Sequence, residues 1–250
     1  MLKTKELNMN SKPILLIAAI SLIAAVATTS TYNGMSLANA QVNRDKEYTD
    51  SFNLEDCTFS STGSNRYFIL EPGYRLVLED QKEDVELVIT VLDETKTISG
   101  IETRIVEEKE TKGDDLVEIS KNYFAICTEN NGVFYFGEDV DIYENGSIVS
   151  HSGAWIHGEN DARAGLMMPG LALLGSRYYQ EVAPDVALDR SVIQSLDEKV
   201  KTPAGTFEDS LRVKETTPLE PSAKDFKWFA PHIGLIKSNA LKLVEYGYVE

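Results

Sequence analysis

The sequence predicts an all-β chain: an antiparallel meander forming a strongly curved sheet or half-barrel, with a few short helices or loops covering one face. Three observations predict it. From about residue 67 onward, β-rich runs alternate with glycine-bearing corners. Asn-Gly pairs lie between alternating runs, where a type I′ turn needs positive φ at both central residues. Beyond the N-terminal segment, no stretch keeps a helical period for three turns.

The first element is not part of that fold. A lysine-bearing start, MLKTKELNMNSK, is followed by the unbroken apolar run PILLIAAISLIAAVA (13–27) and then by small polar residues. That order describes a secretory signal. Cleavage sites of small-x-small type are Ala25-Val26-Ala27 and Ala38-Asn39-Ala40, and the second is preferred because charged, ordinary sequence begins at Gln41. An uncut anchor is the alternative, although the run is shorter than the ~18–20 apolar residues that span a bilayer. Residues 1–40 are thus a signal peptide or N-terminal anchor, 41–66 a polar lead-in that looks loosely held, and 67–250 the β domain. On either alternative the protein is exported, to the envelope or beyond. The first cysteine is Cys57, far past the run, which argues against a lipid-modified N-terminus.

The β domain reads in order. VELVITVLD (85–93) alternates around β-branched residues, and TISGIETRIVEE (97–108) turns at Ser99-Gly100. TKGDD (111–115) is the next corner, then LVEISKNYFAICTE (116–129) runs to Asn130-Asn131-Gly132. VFYFGED (133–139) follows, and Asn145-Gly146 leads into SIVS. Within 101–108, Ile101, Thr103, Ile105 and Glu107 share one, largely apolar face, and Glu102, Arg104, Val106 and Glu108 the other, largely charged one. That pattern is expected of a sheet wet on its charged side. Helices are expected only as short pieces, at 160–168 and 183–190. Residues 158–176 form the longest irregular connection.

Charge and cysteines restrict function. The chain carries 24 basic and 40 acidic residues, a formal net charge of −16. Such a surface repels phosphate backbones and anionic headgroups, which excludes nucleic acid as a natural partner. Cys57 and Cys127 both lie past the signal, in an oxidising compartment, and are expected to form a disulfide. Asn145-Gly146-Ser147 is an N-glycosylation acceptor at a hairpin tip.

HSGAWIHGEN (151–160) holds two of the three histidines. As a strand it would separate His151 from His157 by ~20 Å, too far to share an ion. In GEDVD (137–141), Asp139 and Asp141 share a face and invite calcium, but a solvated edge cluster explains them better. His232 follows a proline in a turn. The chain contains no HExxH, GxSxG, GxxxxGK[ST], CxxC or GxGxxG motif, so no cofactor is called for and catalysis is the less favoured expectation.

LEPGYRLVLED (70–80), KTPAGTFEDSLRVKE (201–215) and WFAPHIGLIKSN (228–239) resemble segments of a broad set of exported prokaryotic β-rich proteins of unknown function, many of them lipoproteins. The resemblance covers most of 67–248. It departs at Leu76, where that set favours tryptophan, and at His232, where it favours glycine; the lipid-attachment cysteine is missing. Its motifs are turns and strands, so it implies a fold and is silent on chemistry. Pro203 and Gly205 have backbone reasons to be where they are, and Phe207 starts a strand pointing inward.

The expected function is a non-catalytic envelope or extracellular domain that binds an apolar small molecule or an envelope protein. Trp155, Met167, Met168, Tyr178 and Tyr179, which flank the irregular connection, are the expected ligand-binding residues. A carboxylate hydrolase, assisted by calcium, and a purely structural component are the alternatives. A membrane enters only through an uncut N-terminal segment.

Overall fold

The computed structural model describes residues 47–249; the signal or anchor segment lies outside the described residues. Three short strands come first, β1 (Phe59–Ser60), β2 (Ser64–Asn65) and β3 (Phe68–Ile69). Five longer ones follow: β4 (Tyr74–Asp80), β5 (Val85–Ile98), β6 (Ile101–Lys112), β7 (Asp115–Cys127) and β8 (Val133–Glu144). The middle of the chain supplies β9 (Ser147–Ser150), β10 (Trp155–Ile156), β11 (Arg163–Met168), β12 (Arg177–Tyr179) and β13 (Glu181–Val182). The last part supplies β14 (Arg190–Thr202), β15 (Gly205–Thr216), β16 (Asp225–Ala230), β17 (Gly234–Ser238) and β18 (Leu241–Tyr248).

The main sheet runs β12-β14-β15-β16-β17-β18-β4-β5-β6-β7-β8-β11-β13, with its neighbours antiparallel. Its two outermost strands, β12 and β13, are separated in sequence by Gln180 alone. The sheet is therefore nearly closed into a barrel, and the chain itself steps across the seam. Closure of this kind removes the exposed edges that an open meander would leave. The expected curved sheet is present, and it curls further than half a turn. Asn145 and Gly146 both have positive φ, 52° and 75°, at the β8–β9 corner, as a type I′ turn requires.

The expected helices are absent among the described residues, where a single 3-10 turn, Leu54–Asp56, is the only helical element. Arg163–Met168 is a strand with partners on both sides, β8 and β13. Residues 183–187 close through the Ala183–Ala187 bridge instead. An isolated helix of eight or nine residues is marginal in water, whereas 163–168 pairs with neighbouring strands and 183–187 closes on itself as a tight turn.

Two apolar layers result. The barrel interior is filled from every side by residues such as Leu78, Leu87, Phe124, Tyr135, Ile193 and Leu243, each 1% exposed or less. A second layer lies outside β6–β8, with Ile98, Ile105, Tyr123, Phe134 and Phe136. The lead-in covers it. Phe52 and Phe59 pack edge-on against Phe134 with ring centroids 5.7 Å away, and Phe59 meets Phe136 at 5.2 Å. The disulfide Cys57–Cys127 fastens the cover, with β1 pairing against the end of β7. Residues 47–66 are thus pinned rather than loosely held. Their polar composition hides a few well-placed apolar side chains.

The faces of β6 also differ from expectation. Glu108 and Glu110 are buried, while Ile105, on the opposite face, lies under the lead-in. The face that looks solvated in sequence is the inside of the barrel.

Candidate functional site

Period-two alternation carries the charged face of β6 into the barrel: Val106, Glu108 and Glu110. β7, alongside, contributes Glu118, Ser120 and Asn122. On β8 the register shifts opposite Tyr123 and Phe124. Gly137, at φ 149°, accommodates the irregularity. Without it, alternation from the buried Tyr135 would aim Asp139 inward; with it, Glu138 is buried and Asp139 faces out. From the seam come Gln180 and Glu181, and from β15 and β16 come Glu215 and Lys227.

The result is a lumen with one lysine among many carboxyls. Six glutamates there are no more than 8% exposed. Lys227 Nζ lies 2.5 Å from Glu215 Oε2, and Gln180 Nε2 donates to Glu215 Oε1 at 3.0 Å. Glu215 is therefore satisfied on both oxygens. Glu108, Glu110, Glu118, Glu138 and Glu181 each retain an oxygen without a hydrogen-bond partner.

Burial governs their protonation. Loss of water pushes the Glu108 carboxyl up to about 8, against the pull of Lys227, with Glu118, Glu110 and Glu215 adding repulsion. Burial likewise takes Glu118 to about 8 and Glu110 to about 7. Burial and then Glu215 raise Asp189 to about 7, while burial holds Glu138 and Glu181 well above the usual carboxylate range. Lys227 is the opposite case: burial alone would lower it, but Glu215 and its neighbours outweigh that and keep the ammonium charged. A buried charge is tolerated when paired and is otherwise neutralised by a proton.

Next to the ion pair the lumen opens into a narrow cavity of about 50 Å³. Its walls are Tyr74, Leu76, Ile89, Val91, Phe229 and Leu235, with Tyr67–Ile69 and the β16–β17 turn at the same end. Glu215 and Lys227 are its charged lining residues. The Tyr74 hydroxyl is turned away from ligand duty, donating to the Ile233 carbonyl at 2.9 Å. The cavity is therefore apolar along its walls, with one polar pair at its end.

Of the five residues expected to bind ligand, Met167 lines this cavity. Trp155, Met168 and Tyr178 are buried in the same interior layer, and Tyr179 is half-buried with its ring 5.9 Å from that of Tyr48. The rest of the lining, and the carboxyls behind it, come from the meander strands.

The histidines do other work. His157 Nδ1 accepts the Ala164 N–H at 3.0 Å, and His151 Nδ1 lies 2.9 Å from Asp141. Asp139 accepts from Tyr123 and from Lys96, so the outer carboxylates of the GEDVD segment are engaged with protein partners. The one group of His, Cys and acidic atoms close enough for an ion, among the described residues, is Cys57, Cys127 and Glu129. Its two sulfurs are spent on the disulfide.

No protein-family model matches the chain, and no curated protein matches it. Among solved structures it is similar to a crystal structure described as a "putative lipoprotein" from Parabacteroides distasonis ATCC 8503. That likeness has 15% identity and a TM-score of 0.36, covering 74% of this chain and 100% of the other. It bears on neither ligand nor activity.

Proposed function

We propose that this chain is an exported, cell-envelope or extracellular binding protein that holds an apolar ligand in the lumen of its barrel. One observation carries this: an apolar-walled cavity in the lumen, backed by a buried ion pair. Small-molecule sites are concave and mostly apolar, with a few fixed polar groups. The N-terminal apolar run and the disulfide support an exported setting. The carboxylate-hydrolase alternative has less support. Of the buried carboxyls, Glu215 borders the cavity and is tied up by Lys227 and Gln180, while the others lie behind it.

N-phenyl-1-naphthylamine, a neutral apolar probe that brightens out of water, tests this. Its fluorescence should rise saturably with the native protein and fall at least about tenfold in apparent affinity with Val91→Trp, which fills the cavity. Equal binding to both proteins would contradict a luminal site.

A further inference from the structure

The loop between β11 and β12, PGLALLGS (169–176), carries no charge and exposes three leucines. Leu171, Leu173 and Leu174 are 74%, 56% and 68% accessible. Single exposed leucines are ordinary on a soluble surface; three within four residues form a patch that marks an interaction site. The loop is held in place. Asn65 reaches the Pro169 carbonyl at 3.4 Å, the Gly175 N–H donates to Ile193 at 2.9 Å, and Ser176 N–H donates to Leu173 at 3.0 Å. Gly170 sits so close to the 128–132 turn that a Cβ there would lie 1.9 Å from the Asn130 oxygen.

Two further relationships say what covers the leucines. First, the described chain begins beside them. Thr49 bridges Tyr178 in parallel, its N–H donating to the Arg177 carbonyl at 3.0 Å. In a parallel pair, Tyr48 and Glu47 run alongside Arg177 and Ser176, which is the direction of the loop. The segment that precedes residue 47 contains the apolar run 13–27. Second, the surroundings suit a headgroup layer. The Tyr48 ring lies between the Arg177 and Arg190 guanidiniums, 5.6 and 4.5 Å from its centroid, with Tyr179 against it and Glu47 exposed alongside. Tyrosine and arginine are side chains that settle at membrane–water boundaries. Asn65, which anchors the loop, lies two residues before Tyr67 at the cavity's end of the barrel.

We propose that the 171–174 loop docks this end of the barrel on a lipid bilayer, with the three leucines entering the headgroup–acyl boundary. The bilayer is the one to which the 13–27 run leads if it is kept. Where that run is removed, the loop makes the contact alone. The chain's net charge of −16 selects a zwitterionic over a strongly anionic surface. Docking in this orientation turns the cavity end toward lipid.

The test uses the full chain with phosphatidylcholine vesicles in which acyl-chain-brominated phosphatidylcholine quenches nearby indoles. Leu173→Trp reports the loop, and Ile148→Trp, exposed on the β9 hairpin, reports a second surface site; the unsubstituted protein supplies the background of Trp155 and Trp228. Quenching of the added indole should be more than about threefold stronger for Leu173→Trp than for Ile148→Trp. It should be weaker with phosphatidylglycerol. Both variants should keep the parent's melting temperature, since both sites are exposed. Equal or absent quenching overturns the proposal. So does a blue-shifted Leu173→Trp emission before vesicles are added, which would mean that a second copy or another part of this chain covers the leucines.

Discussion

Lys227 and Glu215 form a salt bridge of 2.5 Å inside the barrel, with side chains 5% and 10% exposed. They face each other from β16 and β15 at the polar end of an otherwise apolar cavity. The lysine is matched by one glutamate, and burial, not the pair, pushes the remaining carboxyls up. Removing the cation should therefore cost far more than removing both partners. Lys227→Met is expected to destabilise the fold by about 3–5 kcal/mol, and Lys227→Met/Glu215→Leu to recover most of that. Urea unfolding of the three proteins at neutral pH checks it; equal loss in both variants would show that packing, rather than charge, dominates.

Stability should fall as pH rises from about 5 to 8. Unfolded glutamates release their protons near 4.5, whereas folded Glu108, Glu110 and Glu118 hold theirs to about 8, 7 and 8. Between those limits the unfolded chain gains by ionising and the native one does not, so its advantage shrinks until the folded carboxyls titrate. His157, lowered by burial, pulls weakly the other way at the acid end. The melting temperature should drop on the order of 10 °C across the window. Calorimetry at fixed ionic strength reads it directly, and a flat or rising profile would mean that these carboxyls are ionised in the native state.

The disulfide closes a loop of 70 residues and fastens the lead-in over Phe134 and Phe136. Cys57→Ala/Cys127→Ala should cost about 4 kcal/mol in the chain-entropy account. It should also expose the outer layer selectively, so that amides of 52–60 exchange faster while those lining the barrel interior do not. Hydrogen exchange with mass readout distinguishes this from a uniform loss.

Gly165 packs directly against the seam. A Cβ there would lie 2.5 Å from the Gln180 carbonyl oxygen and 2.6 Å from that of Tyr179, both backbone. Gly165→Ala should therefore push β11 from the chain that closes the barrel. A destabilisation of about 1–3 kcal/mol, as for overpacked cores, is expected. An unchanged unfolding midpoint would show that the seam is loose.

The meander was legible because turn chemistry is local. Ser99-Gly100, the 130–132 asparagines and Asn145-Gly146 each carry their own backbone signal, and the strands between them follow. The cysteine pairing followed from compartment. The inside of the barrel was not legible, because alternation separates two faces without saying which is in. On β6 the apolar-looking face lies under the lead-in and the charged one points to the lumen. The inward turn of Glu138 depends on a register shift at Gly137 that only the pairing with β7 reveals. Met167, named because it flanks the irregular connection, does line the cavity; Glu215 and Lys227 lie in strands whose neighbours are set by distant segments. The helix expected at 160–168 failed for the same reason, since the sheet supplied partners for 163–168, while 183–187 closes locally on itself.

Native mass spectrometry of the protein purified from an envelope fraction, without detergent wash, tests the central claim most directly. A luminal carrier should show a second species heavier by a discrete small-molecule mass, lost with Val91→Trp and kept with Ile148→Trp. The bare polypeptide mass alone in all three proteins, or an adduct indifferent to the filled cavity, would contradict it.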